Sequence, residues 1–164
     1  MDLLSNIQSF TESLPSALRF LGVVLAAFIP YIEGEGAAIV GIIAGMEPWV
    51  AIPVAILANV AIVVVIVLSF EKIRAAIINR RIAAGKTPKP ASEKQQKVRR
   101  ALDKYGVPGV SLLGPFLLPT HFTAAALTSF GITKGRVITW QAVAIVLYST
   151  VFGMLFYGVL SVVA

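Results

Sequence analysis

The run Pro48-Trp49-Val50-Ala51-Ile52-Pro53-Val54-Ala55-Ile56-Leu57-Ala58-Asn59-Val60-Ala61-Ile62-Val63-Val64-Val65-Ile66-Val67-Leu68-Ser69-Phe70 carries no charge from end to end. At 1.5 Å per residue, such a helix covers about 30 Å of hydrocarbon. It reads as a transmembrane helix. Pro53 falls in its first turns, where a missing amide costs little, and Trp49 sits where an interfacial aromatic belongs. A second uncharged run, VITWQAVAIVLYSTVFGMLFYGVLSVVA from Val137 to Ala164, with Trp140 near its start, reads as a second span. Composition agrees. Of 164 residues, 57% are hydrophobic and only 13% charged, against about 45–50% and about 25% in soluble domains. The chain is an integral membrane protein.

The other two apolar regions are interrupted at their centres. The first, LPSALRFLGVVLAAFIPYIEGEGAAIVGIIAGMEP, is broken by Pro30, Glu33, Gly34, Glu35 and Gly36. Its second limb, from Ala37 to Met46, would extend only about 15 Å as a helix, half the hydrocarbon thickness. The second region, YGVPGVSLLGPFLLPTHFTAAALTSFGI, is broken by Gly114, Pro115, Pro119, Thr120 and His121, leaving limbs of about 18 Å. Both read as re-entrant helical hairpins whose unwound tips lie near the membrane midplane, which is tolerated where protein or a wet cavity covers the backbone. Four conventional spans with proline kinks are the competing reading, since Leu14 to Tyr31 could just reach across.

Lys and Arg outnumber Asp and Glu by 14 to 8, and eleven of the fourteen lie between Lys72 and Lys104. A basic block bounded by apolar segments reads as a cytoplasmic loop and, secondarily, as a contact for anionic lipid headgroups rather than for nucleic acid. Within it, Glu71 to Ala84 is expected to form a short basic surface helix, Thr87-Pro88-Lys89-Pro90 a linker, and Ser92 to Tyr105 a polar helix with Ser92 as N-cap. The chain thus divides into a first half, 1–70, a basic loop, 71–104, and a second half, 105–164, within a single membrane domain. With the loop inside, both termini lie outside. Each half is then a hairpin, a short turn and a Trp-marked span, and the halves enter from opposite faces. That layout is an inverted repeat, which in transporters places the substrate site at the midplane. Asp2 and Glu12 stand where a signal peptide would be basic, so none is expected. There is no cysteine, hence neither disulfides nor thiolate chemistry.

The candidate chemistry lies in the breaks. A carboxylate at membrane depth costs several kcal/mol unless it is paired, hydrated or protonated. Glu33 and Glu35, with Gly34 and Gly36 freeing the backbone to let them converge, are therefore expected to exchange a proton. The plainer reading is an exposed loop. His121, the only histidine, lies beside Thr120, and could complete a proton relay with a glutamate or simply bond a local carbonyl. Asn59, Gln141 and Tyr148 are expected to make interhelical hydrogen bonds, with cavity lining as the minority role. Gly41 and Gly45 form a GxxxG, a weak packing signal; Arg19 snorkels toward the interface, and Glu47 marks the outer boundary. No metal-binding pattern of the HExxH kind, Walker A loop, dinucleotide fingerprint or GxSxG elbow occurs, so neither a metal, a cofactor nor enzymatic activity is expected.

Ile29-Pro30-Tyr31-Ile32-Glu33-Gly34-Glu35-Gly36-Ala37-Ala38, followed by Gly41 and Gly45, resembles the first signature of the small multidrug export protein family. Lys104-Tyr105-Gly106 and Gly114-Pro115-Phe116-Leu117-Leu118-Pro119-Thr120 resemble its second. The likeness covers roughly Gly22 to Gly158. The family is similar in outline to DedA or VTT-type proteins, which carry two opposed re-entrant hairpins with acidic residues in the first. The resemblance implies a transporter of the bacterial inner membrane. DedA-type relatives imply polyprenyl-phosphate or phospholipid transport, using arginines of an R-F-x-P-x-x-R motif in the second hairpin. Here Glu33 and Glu35 match the acidic feature and Pro115-Phe116 with Pro119 matches part of the second, yet no arginine lies between Arg100 and Arg136. A phosphate at membrane depth wants such a cation, although helix N-termini can substitute. Two carboxylates and a histidine suit protons or an amphipathic cation exchanged for them. The expectation is a proton-coupled exporter of a small amphipathic substrate, embedded in membrane lipids. A lipid flippase or scramblase is the first alternative and a non-transporting assembly subunit the second. A chain this short is expected to work as a homodimer.

Overall fold

The computed structural model describes residues 3–83, 85, 93–116 and 118–163, and these are helical and loop segments with no strand among them. The α-helices among the described residues are α1 (Leu3–Ser13), α2 (Arg19–Ala27), α3 (Glu33–Ile43), α4 (Pro48–Ala83), α5 (Glu93–Leu113), α6 (Thr120–Ser129) and α7 (Lys134–Val163). Short 3-10 turns at Ser16–Leu18 and Gly114–Phe116 precede α2 and follow α5. Among the described residues two helices, α4 and α7, are long and apolar enough to cross a membrane. The chain divides into two compact units, cut within both long helices. One runs to Ile62 and resumes at Ala142; the other is Val63–Gln141.

In the first unit, α2 and α3 are two limbs joined by the break at residues 28–32. At 9 and 11 residues they extend only about 14 and 17 Å. Pro30 has no amide to continue α2, and the chain turns with Tyr31 at φ 78° and Glu33 at φ 51°. These are the non-glycine residues with positive φ among those described, a conformation that costs of order 1–3 kcal/mol each. The outer ends of the limbs are tied together: the Arg19 guanidinium, at the start of α2, donates from Nη1 to the Ala44 carbonyl at the end of α3. Val23, Ala26, Ala27, Ala37, Ala38, Ile52 and Ala55 form the core, and their small size lets helices without a hydrophobic driving force in lipid approach closely. α1, which the sequence reading did not foresee, packs on α2 where Gly22 leaves room only for the Thr11 side chain.

The break differs from expectation in its position. The unwound stretch ends at Ile32, so Glu33 and Glu35 lie on the first turn of α3. Gly34 and Gly36 are absent from the positive-φ positions. Glycine is required at 34 for closeness rather than flexibility.

In the second unit, α5 combines the polar helix and the first limb of the second hairpin in one element, bent at Gly106, whose φ is 66°. Lys104 Nζ lies 4.9 Å from the centre of the Tyr105 ring beside that bend. Pro119 N-caps α6, so Thr120 and His121 open a helix instead of lying in the break. Val107, Ala124, Leu127 and Val137 are buried in this unit. The expected surface helix from Glu71 is continuous with α4 to Ala83, because Glu71 to Ala83 contains no glycine or proline to stop it. The 36 residues of α4 extend about 54 Å, well past the hydrocarbon. The Thr87 to Pro90 linker and the Ser92 N-cap lie outside the described residues.

Both second limbs end alike. Gly45 donates to Ile42 O at 3.0 Å and Met46 to Gly41 O at 2.9 Å; Gly131 donates to Thr128 O at 2.9 Å and Ile132 to Leu127 O at 3.2 Å. Each is a Schellman motif with glycine in the left-handed region, at φ 81° and 83°. One constant offset carries Ala44 onto Phe130, Gly45 onto Gly131, Met46 onto Ile132 and the helix start Pro48 onto Lys134. That same offset carries Gly34 onto Thr120 and Glu35 onto His121. An arginine caps each end, Arg19 as above and Arg74 through Nε to Ser129 O at 3.2 Å.

Candidate functional site

The first unit concentrates its buried polar groups around the start of α3. Glu33 is only 2% exposed and Glu35 is half-buried. Their position in the first helical turn places their charge at the positive end of the helix dipole, which favours carboxylates. Asn59 from α4 and Ser149 from α7 are both fully buried, and they converge on Gly34. A Cβ at position 34 would collide with Ser149 Oγ and stand 3.3 Å from Asn59 Nδ2. Three helices thus bring a carboxyl-bearing backbone, a carboxamide and a hydroxyl into one place. Tyr148, next to Ser149, is half-buried and its ring stacks on Phe152 with centroids 6.2 Å apart.

The second unit has its own buried polar set. Thr120, His121 and Thr123 on α6, Ser111 on α5 and Gln141 on α7 are all buried. Gln141 Nε2 donates to Ser111 Oγ at 3.3 Å, an interhelical hydrogen bond of the kind expected for that residue. Thr120 Oγ1 and Gln141 Oε1 have no hydrogen-bond partner among the described residues. Gly114 lies against Thr123, whose Oγ1 would stand 3.2 Å from a Cβ there. Pro115 belongs to the 3-10 turn that closes the first limb.

Of the residues singled out from sequence, Pro30, Glu33, Gly34, Glu35, Gly36, Asn59 and Tyr148 fall in the first unit, and Gly114, Pro115, Pro119, Thr120, His121 and Gln141 in the second. Sequence reading missed Ser149 and Ser111. Nothing in the run Tyr148-Ser149-Thr150 marks the middle residue as the buried one; only the packing of α7 separates Ser149 from the exposed Thr150. Among the described residues no cluster of three His, Asp or Glu side chains could hold a metal ion.

The start of α3 thus carries a buried glutamate on a turn whose Gly34 is packed by a carboxamide and a hydroxyl, both side chains able to donate hydrogen bonds. This acidic stretch is also where a family match begins. The model of the family described as "Putative small multi-drug export protein" matches residues 33–151. The chain belongs to this family. The match takes in α3, α4, α5, α6 and α7 as far as Val151. The small multi-drug export family is a family of membrane exporters, not a class of enzymes. No curated protein and no solved structure matches the chain.

Proposed function

We propose that the chain is a proton-coupled exporter of small amphipathic cations, with Glu33 and Glu35 as the proton-exchanging groups. The observation that carries this reading is a glutamate 2% exposed at the head of a short helix in a membrane protein, flanked by buried hydrogen-bonding side chains. A carboxylate there costs several kcal/mol and is kept where ion movement needs it. Substrate and proton compete for the same charge: a cation stabilises the ionised pair, a proton neutralises it, and alternation of the two drives exchange. The absence of an arginine between Arg100 and Arg136 leaves the second hairpin without the bidentate partner a lipid phosphate prefers.

The reading includes two re-entrant hairpins in an inverted repeat. Supporting it are the short limbs, the Arg19 bond that joins the two outer ends of the first hairpin, and the matching Schellman ends of α3 and α6. It further includes a bacterial inner membrane location, the basic segment inside, both termini outside, a lipid surround and a homodimer.

The test is proton release by purified, detergent-solubilised protein on addition of a panel of organic cations and of polyprenyl phosphate. Release by a cation that disappears in Glu33→Gln/Glu35→Gln is the expected result. A response to the lipid phosphate alone would replace the cation with an anionic lipid as substrate. Silence toward every ligand from folded protein would count against transport and favour an assembly subunit.

A further inference from the structure

Measured from Pro48, Arg74 lies about 39 Å along α4, beyond the hydrocarbon of a bilayer but within the about 40–45 Å that it spans with its headgroups. The uncharged run has ended at Phe70. Here one face of α4 meets the segment that joins α6 to α7. Glu71 and Arg74, three residues apart and so neighbours on the helix surface, both reach it. Glu71 Oε2 pairs with Lys134 Nζ at 3.3 Å, and Arg74 Nε donates to Ser129 O at 3.2 Å. The Arg74 guanidinium lies over Gly131, where a Cβ would stand 2.8 Å from Nη2 and 3.2 Å from Cζ. The Nε bond is the only hydrogen bond of Arg74 among the described residues, which leaves the four N–H groups on Nη1 and Nη2 open. Its charge is not cancelled either. Glu71, the only acid in α4, is engaged by Lys134, and no Asp or Glu occurs after Asp103.

We propose that Arg74 anchors a binding site for an anionic phospholipid headgroup of the surrounding bilayer, where α4 meets the end of the second hairpin. A guanidinium already bonded through Nε presents Nη1 and Nη2 as a fixed fork, the geometry that takes two oxygens of one phosphate. Less side-chain freedom is then lost on binding. The occupant is a lipid because the site continues the membrane span. Phe70, one turn toward the bilayer centre on the same face of α4, is 38% exposed and sets an aromatic ring where acyl chains begin. Ile73 and Ile77, also exposed, add apolar surface beside the fork. The headgroup is anionic because Glu71 and Lys134 offset each other, while Arg74, Lys72 and Arg136, all exposed, leave an excess of positive charge that a negative leaflet complements. The phosphate takes the Nη fork and leaves the Ser129 bond in place, so the lipid adds to the hairpin clamp instead of competing with it. This makes specific the lipid surround proposed above, and it holds whether or not the chain exchanges protons for cations.

The test is lipid retention by the purified full chain in detergent, titrated with dioleoyl phosphatidylglycerol or dioleoyl phosphatidylcholine and counted by native mass spectrometry. Phosphatidylglycerol is expected to be retained about tenfold more tightly than phosphatidylcholine. Arg74→Gln should weaken its retention about tenfold, the size of a lost hydrogen bond to a charged group. Arg74→Lys keeps the charge but has neither the Nε donor nor the fork, and should weaken it nearly as much. Arg80→Gln removes the same charge further along α4 and should leave retention within about twofold. Thermal unfolding verifies that each variant is folded, and the conservative Arg74→Lys carries the test if Arg74→Gln is not. Equal losses for Arg74→Gln and Arg80→Gln, or full retention by Arg74→Lys, would reduce the effect to diffuse charge and overturn the site. Equal retention of phosphatidylcholine would overturn the anionic preference. Displacement of phosphatidylglycerol by inorganic phosphate in the buffer would make the ligand a soluble phosphate and overturn the lipid assignment.

Discussion

At position 34 the difference between glycine and alanine is a single carbon that has no vacant place. It would overlap Ser149 Oγ and press to 3.3 Å from Asn59 Nδ2. Ser149 can yield by rotating to its own helix, whereas Asn59 can only shift by tenths of an ångström. Gly34→Ala is therefore expected to destabilise the protein by about 1–3 kcal/mol, the range for overpacking. Adding Ser149→Ala should remove most of that cost, because it deletes the atom with the worst overlap. Thermal unfolding of the four proteins of this double-mutant cycle measures the coupling. Strictly additive losses would mean that Gly34 and Ser149 do not meet. The sequence made the carboxylates legible, since two acids inside an apolar run demand an account. It misled about the glycines beside them: EGEG reads as unwound chain, but the left-handed φ values fall on Tyr31 and Glu33, where side chains alone gave no warning. A glycine needed for close approach and one needed for a turn look identical in sequence.

Glycines that do adopt the left-handed region end the two second limbs, and each is overlaid by an arginine. A Cβ at Gly45 would stand 3.0 Å from Arg19 Nη1, and one at Gly131 would stand 2.8 Å from Arg74 Nη2. The guanidinium groups satisfy carbonyls that α3 and α6 leave open at their C-termini and oppose the negative end of each dipole. Their surroundings differ, however. Arg19 is half-buried and Arg74 exposed, and water screens an exposed cap. Arg19→Gln is expected to cost up to about 2 kcal/mol and Arg74→Gln about 0.3–1 kcal/mol. Glu71→Gln, which breaks the half-exposed Lys134–Glu71 pair at 3.3 Å, should cost no more than about 1 kcal/mol. Thermal unfolding in detergent checks that order, and equal losses for Arg19 and Arg74 would argue against the burial account. The role of Arg19 was not readable in advance. Its sequence setting suggests snorkelling to the interface, and only the fold brings the Ala44 carbonyl within reach. The two long helices, by contrast, were plain from their uncharged runs, and the extension of α4 to Ala83 could have been inferred from the lack of any breaker after Phe70.

At the scale of the molecule, membrane topology turns on where the hairpins open. The first hairpin is closed at its mouth by Arg19 and Ala44, and only the short turn through Glu47 separates that mouth from the start of α4. The second ends at Ser129 and Gly131, held by Arg74, in the basic stretch that follows the apolar part of α4. If the first region is re-entrant, as proposed, both of its ends lie on the face where α4 begins. The chain lacks cysteine, so single cysteines can be introduced without background. Cysteines replacing Ser13 and Glu47 are expected to react with an impermeant maleimide from the outside, and one replacing Thr133 only from the cytoplasmic side. Labelling of Ser13 and Glu47 positions from opposite sides would show that the first region crosses the membrane and would remove the re-entrant model. Periodicity and length suggested this arrangement from limbs too short to span. At the first hairpin the Arg19–Ala44 bond adds a different kind of support, because a segment whose two ends share one side chain cannot have those ends on opposite sides of about 30 Å of hydrocarbon.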